Sequence, residues 1–409
     1  MCCQGHADTS ARNAPTPGPY MGDPVVLSYG LGADSTAVLV RWLTEPASRD
    51  FALSDLVVVT AQLGSEFART YELVERHVLP LLSAHAVRFV QVCRSGRREV
   101  DGITILSDTR RPTRLVRRGP WRLIDELLEA GTVPQVAHGR RLCTLKHKGW
   151  VLDQAIEQLV GDRPYRHVLG FNADEVRRAQ TDSSYSSTTR TSEYPLIKWG
   201  WGRTHLEHWL ETTVGERWMK SRCSFCSFSA CAGSREQHLA DWAREPERGA
   251  EALFVEHVAL LLNPRMALYG ATRAVDLATQ AGLVEVLERF WHRVEVAEHA
   301  VYRVRRVFTA GRDPTTGKRS TEKKGVGWRS VEVLASGSRD EMRALLERIA
   351  GARGLDVAGD RAVVRAAGTT YPSAEELLVL APAGVATKER AGFGALWAKV
   401  VDQPTLFAA

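Results

Sequence analysis

Three observations predict an α/β fold built on a doubly wound parallel sheet, with a helical extension and a small C-terminal α+β domain. Over 24–160, short apolar runs alternate with amphipathic helical patterns, the rhythm of parallel strands covered by helices on both faces. The first apolar run stops at a glycine-rich turn that opens a helix, PVVLSYGLGADSTAVLVRWL (24–43). The composition is globular: 44% hydrophobic and 25% charged over 409 residues, enough for a sizeable core and two or three domains.

The elements follow in order. DPVVLSY reads as a strand and STAVLVRWLTE as a helix. SDLVVVTAQL and FARTYELVERHVLPLLSAH repeat the pair, and AVRFVQVC is a third strand. The arginine-rich segment 94–122 is interrupted by Gly and Pro and reads as loop with a short hairpin. WRLIDELLEAG is a helix that its glycine stops. RPYRHVLGFNADE runs from a strand into a loop, and the polar run SSYSSTTR (183–190) reads as a mobile loop over substrate. Three helices follow: REQHLADWAREP, EALFVEHVALLL and LVEVLERFWHRVEVAEHA. From 301 the period becomes two. VYRVRRVF and VGWRSVEVL alternate on either side of an RDPTTGK turn, and RDEMRALLERIA is a helix. The expected organisation is a disordered tail at 1–22, a nucleotide-binding domain with a cysteine cluster at 23–234, a helical region at 235–300 and an α+β domain at 301–409.

Some classes are excluded. No apolar run reaches the roughly 18 to 20 residues that span a bilayer, and the N-terminus lacks the apolar core of a signal peptide. No membrane partner is expected, and the cytoplasm is the expected compartment. The cysteines number 7 (Cys2, Cys3, Cys93, Cys143, Cys223, Cys226 and Cys231). An odd count argues against a disulfide framework. Cys2 and Cys3 sit in the tail, and Cys93 reads as a core thiol. The net charge of +6 suits an anionic partner, nucleotide or nucleic acid, or else a solvated arginine-rich surface.

The glycine turn carries the strongest chemistry. Backbone N–H groups at a helix N-terminus lack internal partners and sit at the positive end of the dipole, so they bind phosphate. Gly30 and Gly32 permit close approach, and Ser35 and Thr36 add hydroxyls. No G-K-[ST] follows, so this is not a Walker A loop, and it is not G-x-G-x-x-G. Asp34 reads as an N-cap carboxylate, as a group that helps hold Mg2+, or as both.

This turn resembles the S-G-G-x-D-S loop of the PP-loop ATP pyrophosphatases, or adenine nucleotide α-hydrolases, whose sheet is Rossmann-like. Gly32, Asp34 and Ser35 match; Gly30 and Leu31 replace the first Ser and Gly, and Ser28 stands slightly earlier. AQLGSEFARTYE is similar to the segment after the second strand in the phosphoadenosine phosphosulfate (PAPS) reductase branch, with Gly64, Glu66, Phe67 and Thr70 fitting. GRRLCTLKHK is similar to that branch's R-x-C-C-x-x-K-K through Arg141, Cys143, Lys146 and Lys148, with Thr144 replacing the second cysteine. GFNADEVRR resembles G-x-R-x-x-E-x-x-R through Gly170, Glu175 and Arg178, with Asn172 replacing an arginine. SRCSFCSFSAC resembles its C-x-x-C. These ordered matches run from 24 to 233.

The resemblance implies ATP as substrate, with Ser28, Gly30, Gly32, Asp34, Ser35, Thr36, Gly64 and Gly170 binding it. It implies attack at the α-phosphorus, release of pyrophosphate, and Asp34, Lys146, Lys148 and Arg178 as catalytic residues, with Arg177 a further cation. Cys223 and Cys226 can chelate one metal from a single turn, and Cys231 follows closely. Four-cysteine sites hold a 4Fe-4S cluster or zinc. The resemblance makes Cys143 the fourth ligand, giving a 4Fe-4S cluster on Cys143, Cys223, Cys226 and Cys231. Zinc with His147 as a ligand, and a redox C-x-x-C without metal, remain open. His205 and His208 lie one helical turn apart and read as boundary histidines rather than ligands.

The C-terminal stretch offers Arg303, Arg305, Arg306, Arg312, Lys318, Arg319, Lys323, Lys324 and Arg329 among aromatics, opposed locally by Asp313 and Glu322. This suits nucleic acid or an edge hairpin protected by charge. The function expected is ATP-dependent adenylation, with sulfur transfer from a sulfur donor or modification of a nucleic acid or small molecule. The alternatives are a PAPS or APS reductase, which the absence of any cysteine after Cys231 disfavours, and a non-catalytic binding subunit of a DNA-modification or defence complex.

Overall fold

The computed structural model describes residues 22–137, 139–218, 220–230 and 234–401. Its first sheet has six strands: β1 (Val25–Ser28), β2 (Leu56–Ala61), β3 (Arg88–Arg94), β4 (Ile103–Thr109), β5 (Tyr165–Val168) and β6 (Arg190–Glu193). Their order is β4-β3-β2-β1-β5-β6. All pairs are parallel except β3 with β4. The inner strands are buried on both faces, and so read as continuous Val and Leu rather than as alternation. The Ala33–Thr44 helix covers one face and the Trp150–Val160 helix the other. The sheet is therefore α/β and mostly parallel, as the rhythm predicts.

Two local expectations are corrected. The helix expected across 67–85 is two helices, Ala68–His77 and Leu79–Ala84. Pro80 has no N–H to continue the first and fits only near the start of the second. The arginine-rich segment also supplies a full edge strand, β4, whose Asp108 accepts Arg88 of β3 at 2.6 Å.

The second sheet is antiparallel: β7 (His299–Arg312), β8 (Arg319–Gly337), β9 (Val357–Ala358), β10 (Arg361–Arg365), β11 (Ser373–Pro382) and β12 (Lys388–Glu389), in the order β9-β10-β11-β7-β8-β12. The Arg339–Gly351 helix, started by a Ser338–Glu341 capping box, packs on one face against Val301, Leu378 and Leu380. The other face presents Tyr302, Val304 and Leu377 to the helices Pro246–Leu262 and Val284–Val296. The same core reaches Phe67, Leu123 and Phe225. The boundary expected at 300 thus falls inside a shared core. Among the described residues, no helix is long and apolar enough to cross a membrane.

Candidate functional site

The strand order reverses between β1 and β5, and open α/β sheets bind ligands in the crevice at the carboxyl ends of strands flanking such a reversal. A cleft of about 710 Å³ lies there. Its walls come from the turn after β1 (Gly30, Gly32, Asp34, Ser35), the segment after β5 (Gly170 to Asn172) and a rim of Lys148, Arg178, Arg203 and Lys220.

The turn is built for close approach. The first intrahelical bond is Thr36 N–H to Gly32 O at 3.1 Å, so the N–H groups of Ala33, Asp34 and Ser35 precede the helical ladder. Gly30 N–H donates to Ser35 Oγ at 3.2 Å, and that hydroxyl lies 3.4 Å from Gly32 O. Gly170 presses against the helix start: a Cβ there would sit 2.7 Å from Ser35 N and 2.9 Å from its Cα. Only glycine fits. Leu31 is in the left-handed region at φ 60°, a conformation side chains resist.

Asp34 has both oxygens occupied. Asn172 Nδ2 donates to one at 2.7 Å and Arg203 pairs with the other. The residue clamps the turn to the segment after β5 and to the Arg203–Val214 helix. Arg203 escaped the sequence reading because it lies in none of the matched motifs. Its signal was its position opening a helix behind a glycine. Asn172, noted there only as a departure, proves to be the partner that an arginine could not replace without a second positive charge beside Arg203.

The remaining predicted residues divide. Ser28 lines the cleft, its hydroxyl 2.8 Å from His167 Nε2. Burial pushes the His167 pKa down to about 4, so the ring is neutral. Lys148 lines the cleft and stands 3.6 Å from the buried Glu66 carboxylate. Burial opposes its charge, but Glu66, Cys223 and Cys143 outweigh that and leave its pKa raised. Arg178 lines the cleft, stacked 4.5 Å over Phe171 and paired with Glu175. Three residues fall elsewhere. The Thr36 side chain is fully buried and bonded to Tyr29 OH at 3.1 Å. Gly64, at φ 78°, packs against Arg122, where a Cβ would meet Cγ at 2.8 Å. Lys146 pairs with Glu126 at 2.9 Å away from the cleft lining. Arg177 is exposed, and the His205 ring packs tilted against Trp201, centroids 4.8 Å apart.

The cysteines gather beside the cleft. Cys223 bridges to Glu66, Ser224 N–H donates to Ser65 O at 2.9 Å, and Arg141 stacks 4.0 Å over Phe228. The first two contacts tie the Cys223 segment to residues 65–66 after β2, and the third joins it to the segment that carries Cys143. Burial first, then Cys226, pushes the Cys143 thiol up; burial and Glu66, with Cys226 and Cys143, push Cys223 up. Cys143, Cys223 and Cys226 therefore lie near one another, with Lys148 beside Cys143 and Cys223, and thiols are the ligand type of a four-cysteine centre. Among the described residues no group of three or more ligand side chains stands in a ligating arrangement, and Cys231 lies outside those residues. His147 is corrected: its Nε2 faces Glu126 at 2.7 Å, not the thiols.

Several cations of the basic hairpin have partners within the protein. Arg306 is buried, 2.9 Å from Glu375 and 2.7 Å from Asn263. Arg303 pairs with Glu332, Arg305 with Glu389, and Lys323 with Asp313, while Lys324 stacks on Phe308. Glu375 and Glu389 are distant in sequence, so a local charge count misses them. Lys318 and Arg319 stay exposed at the tip.

A larger cavity, about 860 Å³, is walled by Leu253, His257, Phe290, Trp291, Leu355 and Arg361. It holds no residue that the motifs single out. Comparison with protein-family models, with curated proteins and with solved structures returns no significant match for this chain.

Proposed function

We propose that the chain is an ATP-dependent adenylating enzyme resembling the PP-loop pyrophosphatases. One observation carries this reading: a glycine turn at the reversal of strand order, against which Gly170 comes so close that a Cβ would lie 2.7 Å from Ser35 N. Bare backbone on both sides of a helix N-terminus suits a pyrophosphate better than any neutral ligand. In the reaction, a substrate oxygen attacks the α-phosphorus, the bond to the bridging oxygen breaks, and pyrophosphate leaves with the electron pair. A nucleophile then displaces AMP.

The turn's N–H groups hold the departing pyrophosphate, and Lys148, Lys220 and Arg178 offset its growing charge. Asp34 keeps the turn in place through Asn172 and Arg203. Mg2+ would come with the nucleotide rather than sit on Asp34, whose oxygens are engaged by Asn172 and Arg203. Cys143, Cys223 and Cys226, with Cys231, would hold a 4Fe-4S cluster or zinc. Bound there, the centre supplies a soft site for sulfur, which favours thiolation of a nucleic acid or small molecule.

The test is calorimetric titration of the full chain with MgATP, together with an assay of pyrophosphate release. Asp34→Ala and Ser35→Ala are expected to abolish release while near-ultraviolet dichroism stays native. A folded wild type that binds no ATP overturns the reading. Iron and acid-labile sulfide on anaerobically purified protein, lost in Cys143→Ser, test the metal.

A further inference from the structure

We propose that Trp218, assisted by Ser221, is a positioning residue that keeps the carbonyls of the phosphate turn out of the way of its N–H groups. The inference rests on the reading of that turn as a phosphate cradle. A turn binds an anion only when its amide hydrogens face the ligand, and rotating one peptide plane replaces a donor with a repelling carbonyl oxygen. The planes most able to rotate here flank Leu31, which already occupies the left-handed region at φ 60°. For a residue with a Cβ that region costs about 1–2 kcal/mol, so something else must hold it.

Two side chains do so. Trp218 Nε1 donates to Leu31 O at 3.0 Å, in a buried setting. Ser221 Oγ reaches Gly30 O at 3.0 Å. The serine has one proton and a second acceptor, Glu66 Oε2 at 2.8 Å, so the indole is the firmer hold. Neither Trp218 nor Leu31 lines the cleft. The indole therefore acts on the ligand only through the turn. Trp218 is 5% exposed and packs in the same core as Leu31, which fixes its N–H direction. In the PP-loop pattern the position of Leu31 is a glycine; here the bond from Trp218 does what the missing glycine would do through conformational freedom.

The experiment compares ATP, inorganic pyrophosphate and adenosine as ligands of the full chain by calorimetry. Trp218→Phe keeps an aromatic ring and removes the donor, together with part of the indole's packing. Expected is a loss of about tenfold in affinity for ATP and pyrophosphate, the effect of one buried hydrogen bond, with adenosine affinity unchanged. Adding Leu31→Gly is expected to restore phosphate affinity, since glycine adopts φ 60° without a Cβ penalty. If Trp218→Phe does not fold, Ser221→Ala is read instead, with a smaller loss confined to the phosphate-bearing ligands. Unchanged pyrophosphate affinity in the variant, or ATP and adenosine affinities falling in step, overturns the proposal while the turn's role stands. A wild type that binds neither ATP nor pyrophosphate overturns the turn's role itself.

Discussion

The glycine turn and the C-terminal hairpin both look anion-binding in sequence, and they fold to opposite ends. The turn carries no cation of its own, yet it sets amide groups that precede the helical ladder in residues that line a cleft. The hairpin is dense in arginine and lysine, yet Glu332, Glu389, Glu375 and Asp313 take up Arg303, Arg305, Arg306 and Lys323, four of its nine named cations. Backbone donors are set by the fold and cannot be quenched by a distant carboxylate. Side-chain cations can, because a sheet brings together strands far apart in sequence.

The largest effect expected tests the hairpin side. Arg306→Ala leaves Glu375 partly buried without its partner, and costs about 3–5 kcal/mol in urea denaturation. A loss near zero would mean that the arginine is surface after all. Next is the turn: Gly170→Ala forces a Cβ onto Ser35, and is expected to destabilise by about 1–3 kcal/mol and to remove ATP binding. Retained ATP affinity would show that the close approach does not shape the cleft.

Acid sharpens the comparison. His167 lies beneath the turn with a folded pKa of about 4, against about 6.5 unfolded. Between those values the unfolded chain binds more protons, so stability falls as pH drops from about 6.5 towards 4, with no further loss from this group below. Denaturation midpoints at pH 7 and pH 5 measure this, and His167→Gln, which can keep the Ser28 bond, is expected to flatten the slope. The smallest effect is at the hairpin tip. Replacing Lys318 and Arg319 together with alanine is expected to change stability by less than about 0.5 kcal/mol. If single-stranded oligonucleotide binding occurs there, its salt dependence drops by about two counterions; binding of undiminished strength breaks the nucleic-acid reading of the tip.

Much of the first sheet was legible because periodicity and glycine placement are local. β1, β2, β3 and β5 each stand where an apolar run stands. β4 was not, because its Ile and Thr residues sit in an arginine-rich stretch and what holds them, such as the bond of Asp108 to Arg88 of β3, lies across the strand pair. In the candidate site, Gly30, Gly32, Asp34 and Ser35 line the cleft together because a glycine-rich strand-to-helix turn is a local pattern, and Gly170, singled out by the resemblance of GFNADEVRR, meets them from the segment after β5. Thr36 was misread because Tyr29, seven residues earlier, turns its hydroxyl inward. Arg203 and Trp218 were invisible because each acts on the turn across more than 160 residues, by one hydrogen bond that no spacing announces.

The core shared by Phe67, Phe225, Trp242, Phe290, Tyr302 and Leu377 has a consequence for how the chain comes apart. Phe225 stands between two cysteines and Tyr302 within the antiparallel sheet, so melting either strips the other of its apolar wall. Heating should therefore produce one calorimetric peak in which cysteine segment and C-terminal sheet are lost together, and a fragment ending at 300 should aggregate rather than work as a free-standing ATP-binding module.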